Sequence, residues 1–246
     1  MTAFIFAGPS LPPSLAPLFP ALEWRPPLSQ GDLFRAATER PALIGVVDAY
    51  FEQVATVWHK EILWAMAQGI HVYGAASIGA LRAAELAAFG MQGIGVIFQQ
   101  YQSSVLIDDD DVALQHGPAD LDYVQLTEAM VNVRATIDRA TQLGVIGSEL
   151  AADLLGIAKS LFYKERTFPT ILGIARQGAA SSTMLDDFAA WLPAGRVDQK
   201  RLDALALARA MTEHLERGVS LLRVTYRMAH TFAWEAARRR HAGSLS

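Results

Sequence analysis

Cysteine is absent from the 246 residues of the chain. This absence excludes disulfide bonds, thiolate zinc sites, iron–sulfur clusters and a thiol nucleophile. Any covalent nucleophile in the chain must therefore be a hydroxyl, a lysine amine, a carboxylate or an imidazole.

Long apolar runs, excess positive charge and phosphate-binding loops are also missing. No uninterrupted apolar stretch approaches the ~18–20 residues of a transmembrane helix, and no signal segment opens the sequence. The formal net charge of −4 does not favour a nucleic-acid partner. Neither standard glycine-rich phosphate loop occurs. We therefore expect a cytoplasmic protein that contacts neither nucleic acid nor a membrane, and we predict no cofactor.

The first hundred residues alternate between strand and helix patterns. Apolar runs predict strands at 3–8, 42–47, 70–74 and 94–98, with helices at 33–39, 56–68 and 78–89 between them. Helix patterns then dominate, at 126–143, 149–163, 168–177, 184–192 and 198–217, and the residues from Arg238 onward read as a solvated basic tail. This order predicts an α/β fold. A Rossmann-like parallel sheet with helices on both faces (1–122) is followed by a mainly helical C-terminal region (123–246).

Small polar residues follow the predicted strands. Ser10 follows the first strand, Asp48 and Tyr50 follow the second, Ser77 follows the third, and residues 99–101 follow the fourth. Because the carboxyl ends of parallel strands lie at one edge of the sheet, we expect these residues to converge on a ligand crevice.

Ser77 lies between a short apolar strand and an alanine-rich helix. The small residues Ala75 and Ala76 precede it, and Gly79 follows it. This pattern is typical of a nucleophile elbow, in which a hydroxyl sits at a sharp strand-to-helix turn beside free backbone N–H groups. Two interpretations remain open, because Ser77 is also well placed to N-cap the helix.

Four charged residues lie on the two helices next to this turn. His59 shares the apolar stripe of its helix, so its ring is expected to point inward, while Lys60 lies at the boundary, from which its ammonium can reach the crevice. A core histidine and a solvated lysine are the alternative. Arg82 and Glu85 are three residues apart, and either they pair with each other or Arg82 holds a carboxylate near Ser77.

A run of four aspartates, 108–111, is followed by His116. Such a cluster of hard oxygen ligands is one way to bind magnesium. Acidic residues also favour the first turn of a helix, and we prefer this second interpretation for at least two of the four. We therefore predict no metal site.

The chain resembles the TfuA-like family. The resemblance covers about residues 1–145, and the helical remainder carries no motif of the family. Its motifs are Asp48-Ala49-Tyr50-Phe51, the segment 57–63 (VWHKEIL), the segment 74–86 (GAASIGALRAAEL), the segment 90–95 (GMQGIG), Asp109-Asp110-Asp111-Val112-Ala113 with His116, and the segment 131–136 (VNVRAT). Ala49, Ile78 and Asp111 stand where the family tends to have glycine, methionine and glutamate, and these departures are conservative.

The resemblance implies a partner of YcaO proteins in peptide backbone thioamidation. The implied activity is hydrolysis of the C-terminal thiocarboxylate of a ThiS-type sulfur carrier, which releases sulfide for the YcaO enzyme. The rival expectation is a non-catalytic adaptor that docks the carrier onto the YcaO protein. A homo-oligomer is compatible with either.

In the implied hydrolysis Ser77 attacks the thiocarboxylate carbon. Lys60 or His59 acts as general base, Arg82 neutralises the thiocarboxylate, and N–H groups of the elbow or of residues 8–10 hold the oxyanion. Direct attack by a water that His59 or Asp48 activates is the competing mechanism. Further residues are assigned to substrate binding, namely Glu85, Ser10, Tyr50, Asp109, Asp110, His116 and Arg134.

Overall fold

The computed structural model describes residues 1–50, 55–106, 108–178 and 182–242. The chain forms two compact units. The first comprises Met1–Ile107 with Arg201–Ser246, and the second comprises Asp108–Lys200. This division differs from the boundary predicted after residue 122, since residues 108–122 belong to the second unit and the chain returns to the first unit at Arg201.

Five parallel strands form the sheet of the first unit, in the order β2-β1-β3-β4-β5. The expectation of a parallel sheet is thus confirmed. This is one of the two common orders of doubly wound sheets, and its strand order reverses between β1 and β3. The strands are β1 Ala3–Phe6, β2 Glu23–Arg25, β3 Leu43–Val46, β4 His71–Ala75 and β5 Gln92–Ile94.

Ten α-helices occur in the described part of the chain. They are α1 Asp32–Thr38, α2 His59–Ala67, α3 Ile78–Leu86, α4 Val96–Gln102, α5 Met130–Gln142, α6 Ser148–Ser160, α7 Phe168–Gln177, α8 Ser182–Gly195, α9 Gln199–Arg217 and α10 Phe232–Ala242. Short 3-10 turns lie at Pro13–Leu18, Ala87–Phe89, Asp109–Val112 and Ala119–Leu121.

Helices cover both faces of the sheet. On one face α1, α2 and α3 pack on strand residues such as Phe4, Ile44 and Val72. On the other face Leu207 and Met211 of α9 pack on the alternate strand residues. Strands covered on both faces must be apolar throughout, which explains the continuous apolar run of β3.

The second unit is helical. Its core is formed where the apolar faces of α5 to α8 meet, around Val133, Ile137, Leu154, Ile171 and Phe188. The helical C-terminal region is thus confirmed.

The strand predicted at 94–98 is wrong. β5 ends at Ile94, and the residues from Val96 onward form α4, so residues 99–101 do not end a strand. Gly95, with a φ of 96°, breaks the chain direction, and the carboxylate of Asp203 accepts the N–H of Ile97 at 2.8 Å in the first turn of α4. This cap comes from α9, far along the chain.

The basic tail is helical rather than frayed. Residues 232–242 form α10, and its Trp234 is 1% exposed. The ring of Trp234 packs against Phe34 and Trp64 of α1 and α2, at centroid distances of 5.9 and 6.5 Å. Burial of this one indole holds α10 against α1 and α2.

None of the helices in the described ranges combines the length and the apolar content that crossing a membrane requires.

Candidate functional site

Asp48 lies at the point where the strand order reverses. Its carboxylate is buried, and its Oδ2 accepts the N–H of Gly8 at 2.9 Å and that of Ser10 at 3.0 Å. Its Oδ1 accepts the hydroxyl of Ser10 at 2.7 Å. Asp48 therefore fixes the loop after β1 against the end of β3, at the place where doubly wound sheets bind ligands.

These bonds change the expected role of the β1 loop. The N–H groups of Gly8 and Ser10 already point at the carboxylate of Asp48, and the intervening Pro9 has no N–H. In this arrangement the loop does not supply free donors for an oxyanion.

Ser77 follows a tight, strained turn. The N–H of Ser77 donates to the carbonyl of Ala75 at 2.8 Å, and Ala76 between them has a φ of 67°. This is a γ-turn with positive φ, the rarer and more strained form. A non-glycine residue in this region costs about 1–3 kcal/mol, which the surrounding structure must offset.

The hydroxyl of Ser77 does not cap α3. The structure has no side-chain cap bond at this residue, and Ser77 is 9% exposed. The amide of Gly79 donates to Val47 and that of Ala80 donates to Ser77, whereas the amide of Ile78 meets no acceptor among the described residues. The hydroxyl of Ser77 and the N–H of Ile78 thus lie next to each other, which is the arrangement of a nucleophile elbow.

Two glycines let α3 approach the sheet. A Cβ on Gly79 would lie 1.9 Å from the carbonyl oxygen of Val46, and one on Gly74 would lie 2.1 Å from the carbonyl oxygen of Gly79. Only glycine fits at these two positions, so the elbow and the close packing beneath it depend on each other.

His59, Arg82 and Glu85 form one cluster. The Oε2 of Glu85 lies 2.8 Å from the Nε2 of His59 and 2.6 Å from an Nη of Arg82. The pairing of Arg82 with Glu85 is thus observed, and the buried Nε of Arg82 has no partner among the described residues.

The inward orientation expected for His59 is wrong, because its side chain is 46% exposed. The helix begins at His59 rather than at residue 56, and its buried face is formed by Glu61, Ile62, Ala65 and Met66.

Lys60 is held by the C-terminal part of the chain. Its Nζ donates to the carbonyl of Ala229 at 2.9 Å and to the hydroxyl of Thr231 at 2.8 Å. In the described part of the chain no hydrogen bond joins Ser77 to Lys60 or His59. Glu85, which binds His59, lies about 12 Å along the helix from Ser77, at 1.5 Å per residue. The structure therefore brings His59 to Glu85 rather than to Ser77.

The aspartate run pairs with basic side chains of the second unit. Lys159 lies 2.9, 2.8 and 3.1 Å from carboxylate oxygens of Asp108, Asp110 and Asp111, Arg134 lies 2.9 Å from Asp111, and Arg166 lies 3.0 Å from Asp110. Desolvation opposes ionisation of Asp110, but hydrogen bonds and charges from Lys159 and Arg166 hold its pKa below the ordinary value.

The run thus has cationic side chains as partners. Residues 109–112 form a single 3-10 turn that ends at Val112, and Ala113 is extended, so the helix start expected before Val112-Ala113-Leu114 is not present. Among the described residues no three histidine, aspartate or glutamate side chains are arranged so that they could hold a metal ion.

The candidate residues divide between the two units. Ser10, Asp48, Tyr50, His59, Lys60, Ser77, Arg82 and Glu85 belong to the first, and Asp109, Asp110, His116 and Arg134 belong to the second. His116 contacts the carbonyl of Gly117 at 2.7 Å, and Asp109 is exposed. The half-buried Tyr50 donates its N–H to Leu28. Phe51 of the first family motif lies outside the described residues.

Glu61 and Arg166 are the residues that sequence reasoning missed. The carboxylate of Glu61 accepts the N–H groups of Trp58, Gly31 and Phe34, so it joins the starts of α1 and α2. Burial raises its pKa, although the backbone N–H groups oppose this rise. The spacing of Glu61 from Trp58 is that of a capping box. No local sequence feature predicts its bonds to the start of α1. No sequence signal marks the fully buried Arg166.

The family model described as TfuA-like protein matches residues 48–167. This match starts at Asp48 and includes Lys60, Ser77, Arg82 and the aspartate run. No curated protein matches the chain. Through this central region, the chain belongs to the TfuA-like family.

Proposed function

We propose that this protein hydrolyses the C-terminal thiocarboxylate of a ThiS-type sulfur carrier and so supplies sulfide to a YcaO enzyme. Membership of the TfuA-like family supports a role related to YcaO-associated thioamidation. The observation that carries the hydrolytic step is the hydroxyl of Ser77, which follows a strained turn, leaves the helix uncapped and lies beside the amide of Ile78.

The proposed reaction has two steps. The Oγ of Ser77 forms a bond to the thiocarboxylate carbon, the C–S bond breaks, and sulfur leaves as hydrosulfide with the hydroxyl proton. Water then attacks the resulting ester, which returns the Ser77 hydroxyl and leaves a carboxylate and a proton. The amide of Ile78 is the proposed oxyanion donor in both steps, because the N–H after a nucleophile has this role in elbows.

The positions of the charged residues suggest their roles in the proposed reaction. Arg82 lies about 7.5 Å along the helix from Ser77, within reach of an anion that approaches this residue, and its buried Nε lacks a partner among the described residues. Lys60, once free of its two acceptors, or His59 takes the hydroxyl proton. In the competing mechanism a water held by His59 or Asp48 attacks the same carbon, and the Oδ1 of Asp48 accepts only one hydrogen bond in the described structure.

Sulfide release tests this proposal. Purified protein is mixed with thiocarboxylated carrier, and Ser77→Ala is compared with Ser103→Ala, whose exposed hydroxyl binds only helix carbonyls. We expect Ser77→Ala to lose about 100-fold or more of the rate, and Ser103→Ala to match the wild type. A Ser77→Ala rate equal to that of the wild type would exclude the covalent route and favour the water mechanism.

An adaptor is the second candidate. It is favoured by the absence, within the described residues, of a base hydrogen-bonded to Ser77, and by the pairing of Lys60 with Ala229 and Thr231. An adaptor would bind the carrier and stimulate the YcaO enzyme without releasing sulfide. Stimulation that survives Ser77→Ala, with no free sulfide from the wild type, would support it.

A further inference from the structure

The segment between α9 and α10, residues 219–231, runs extended over the first unit. We call it the C-terminal strap. Its side chains alternate. Leu222, Val224, Tyr226 and Met228 are partly buried, and the residues between them are exposed. The first three of these four pack on the core that α2 and α3 form with the sheet. Alternation with period two is the pattern of an extended peptide on an apolar surface.

The main chain of the strap supplies three hydrogen bonds to the first unit. The N–H of Leu222 donates to Gly69 at 2.9 Å, the carbonyl of Ser220 accepts from the Nε2 of His71 at 2.8 Å, and the carbonyl of Ala229 accepts from Lys60. Every peptide carries these main-chain groups, so another extended peptide can make the same three bonds. We call this surface, formed by Lys60, Leu63, Gly69, His71 and Phe89, the α2 groove.

The strap has a direction. It begins beside Gly69 and His71, past the C-terminal end of α2, and it ends beside Lys60, in the first turn of α2. A peptide that lay in the groove in the same direction would therefore bring its C-terminal end to Lys60.

Lys60 gives one end of the α2 groove a preference for an anion. Its ammonium now donates to two neutral acceptors, a carbonyl and a hydroxyl. A carboxylate or thiocarboxylate at the same place would add the attraction between opposite charges to a hydrogen bond from the same ammonium. A C-terminal anion thus has the advantage over the strap at this end.

We propose that the α2 groove binds the extended C-terminal tail of the sulfur carrier, with its terminal anion on Lys60, and that the strap occupies this place until the tail displaces it. The identity of the tail rests on the proposed function. Displacement also breaks the bonds from Lys60 to Ala229 and Thr231. Because an ammonium that holds the anion cannot accept a proton, His59 is the candidate base in this state.

Tyr226 holds the strap at its middle. Its hydroxyl donates to the carbonyl of Leu63 at 2.6 Å, and its ring lies edge-on to Phe89 with centroids 5.7 Å apart. Burial raises the pKa of Tyr226 to about 12, so the hydroxyl remains a donor at working pH. Removal of this one donor should weaken the strap without disturbing the core.

Binding of a synthetic peptide with the carrier's C-terminal sequence tests the proposal, measured by calorimetry on the full chain. We expect Tyr226→Phe to bind the peptide about 3–10-fold more tightly than the wild type, since a competing hydrogen bond is lost. Thr225→Val, a change on the exposed side of the strap, should bind like the wild type. The peptide with an amidated C-terminus should lose affinity, and Lys60→Met should abolish the difference between the two peptides.

Exchange protection gives an independent measurement. Amide hydrogen exchange at Leu222, whose N–H donates to Gly69, should rise when the peptide saturates the protein, because the strap leaves the groove. Tighter binding by Tyr226→Phe together with this loss of protection supports the groove even if no sulfide is released, in which case only the hydrolytic function fails. Equal binding by Tyr226→Phe and the wild type, with unchanged protection of the strap, overturns the groove even if sulfide release is normal.

Discussion

Gly79→Ala is the sharpest test of how the fold holds the elbow. The new Cβ would lie 1.9 Å from the carbonyl oxygen of Val46 and 2.7 Å from its carbonyl carbon, whereas such contacts essentially never fall below 3.0 Å. The two atoms must separate by at least 1.1 Å, the difference between 3.0 and 1.9 Å. Both belong to backbone, so no side chain can rotate to relieve the contact.

The expected cost follows from this displacement. Overpacking of this kind costs about 1–3 kcal/mol, and the bond from the Gly79 amide to Val47 is strained as well, at about 1 kcal/mol. Alanine returns up to about 1 kcal/mol through helix propensity. We therefore expect a net loss of about 1–4 kcal/mol, which lowers the melting temperature by about 2–16 °C for a chain of this size.

A matched control comes from the second unit. Gly156 lies inside α6, and a Cβ there would meet nothing within 4 Å. Gly156→Ala should therefore gain about 0.5–1 kcal/mol, because alanine restricts the unfolded chain. Thermal unfolding by circular dichroism compares the two variants with the wild type. A Gly79→Ala protein as stable as Gly156→Ala would refute the close approach of α3 to β3.

Three further predictions concern single side chains, one in each of three contacts described above. Asp48→Asn places an amide where three donors converge, and it should lower the free energy of unfolding, measured with urea, by about 2–4 kcal/mol. A decrease below about 0.5 kcal/mol would show that the β1 loop does not depend on this carboxylate. Trp234→Ala should cost about 3–5 kcal/mol, whereas Phe232→Ala, 91% exposed, should change stability little; equal effects in the two variants would place α10 off the first unit. Because the folded state holds the pKa of Asp110 below its unfolded value, its contribution is present above the unfolded pKa and is lost as pH falls through the folded one. From about pH 6 to pH 3 the urea concentration at half-unfolding should therefore fall less for Asp110→Asn than for the wild type. An identical fall of this urea concentration in both proteins would contradict the prediction.

The helix α7 shows where local sequence is sufficient. The pattern predicts a helix at 168–177, and α7 spans Phe168–Gln177. The hydroxyl of Thr167 accepts the N–H of Thr170 at 3.2 Å, and a proline stands in the first turn. Both signals lie within three residues of the helix start, so no distant contact is needed to place it.

The fourth predicted strand shows where local sequence is not sufficient. The apolar residues at 94–98 suit a strand as well as a short helix. The choice is made by Asp203, which accepts the N–H of Ile97 from a helix about a hundred positions away in the chain. No local pattern carries that information.

The sequence by itself determined the absence of thiol chemistry, the parallel α/β sheet, the small-residue turn at Ser77 and the membership of a TfuA-like family. Each of these depends on residue types or on short periodicities. Only the tertiary structure decided that Asp48 binds Ser10 across the reversal of strand order, that Lys159 pairs with three residues of the aspartate run, and that the C-terminal strap occupies Lys60. These pairings join residues 38 to 169 positions apart. Burial of apolar faces brings them together, and a charge or hydroxyl then finds its partner by where the chain packs rather than by its neighbours in sequence.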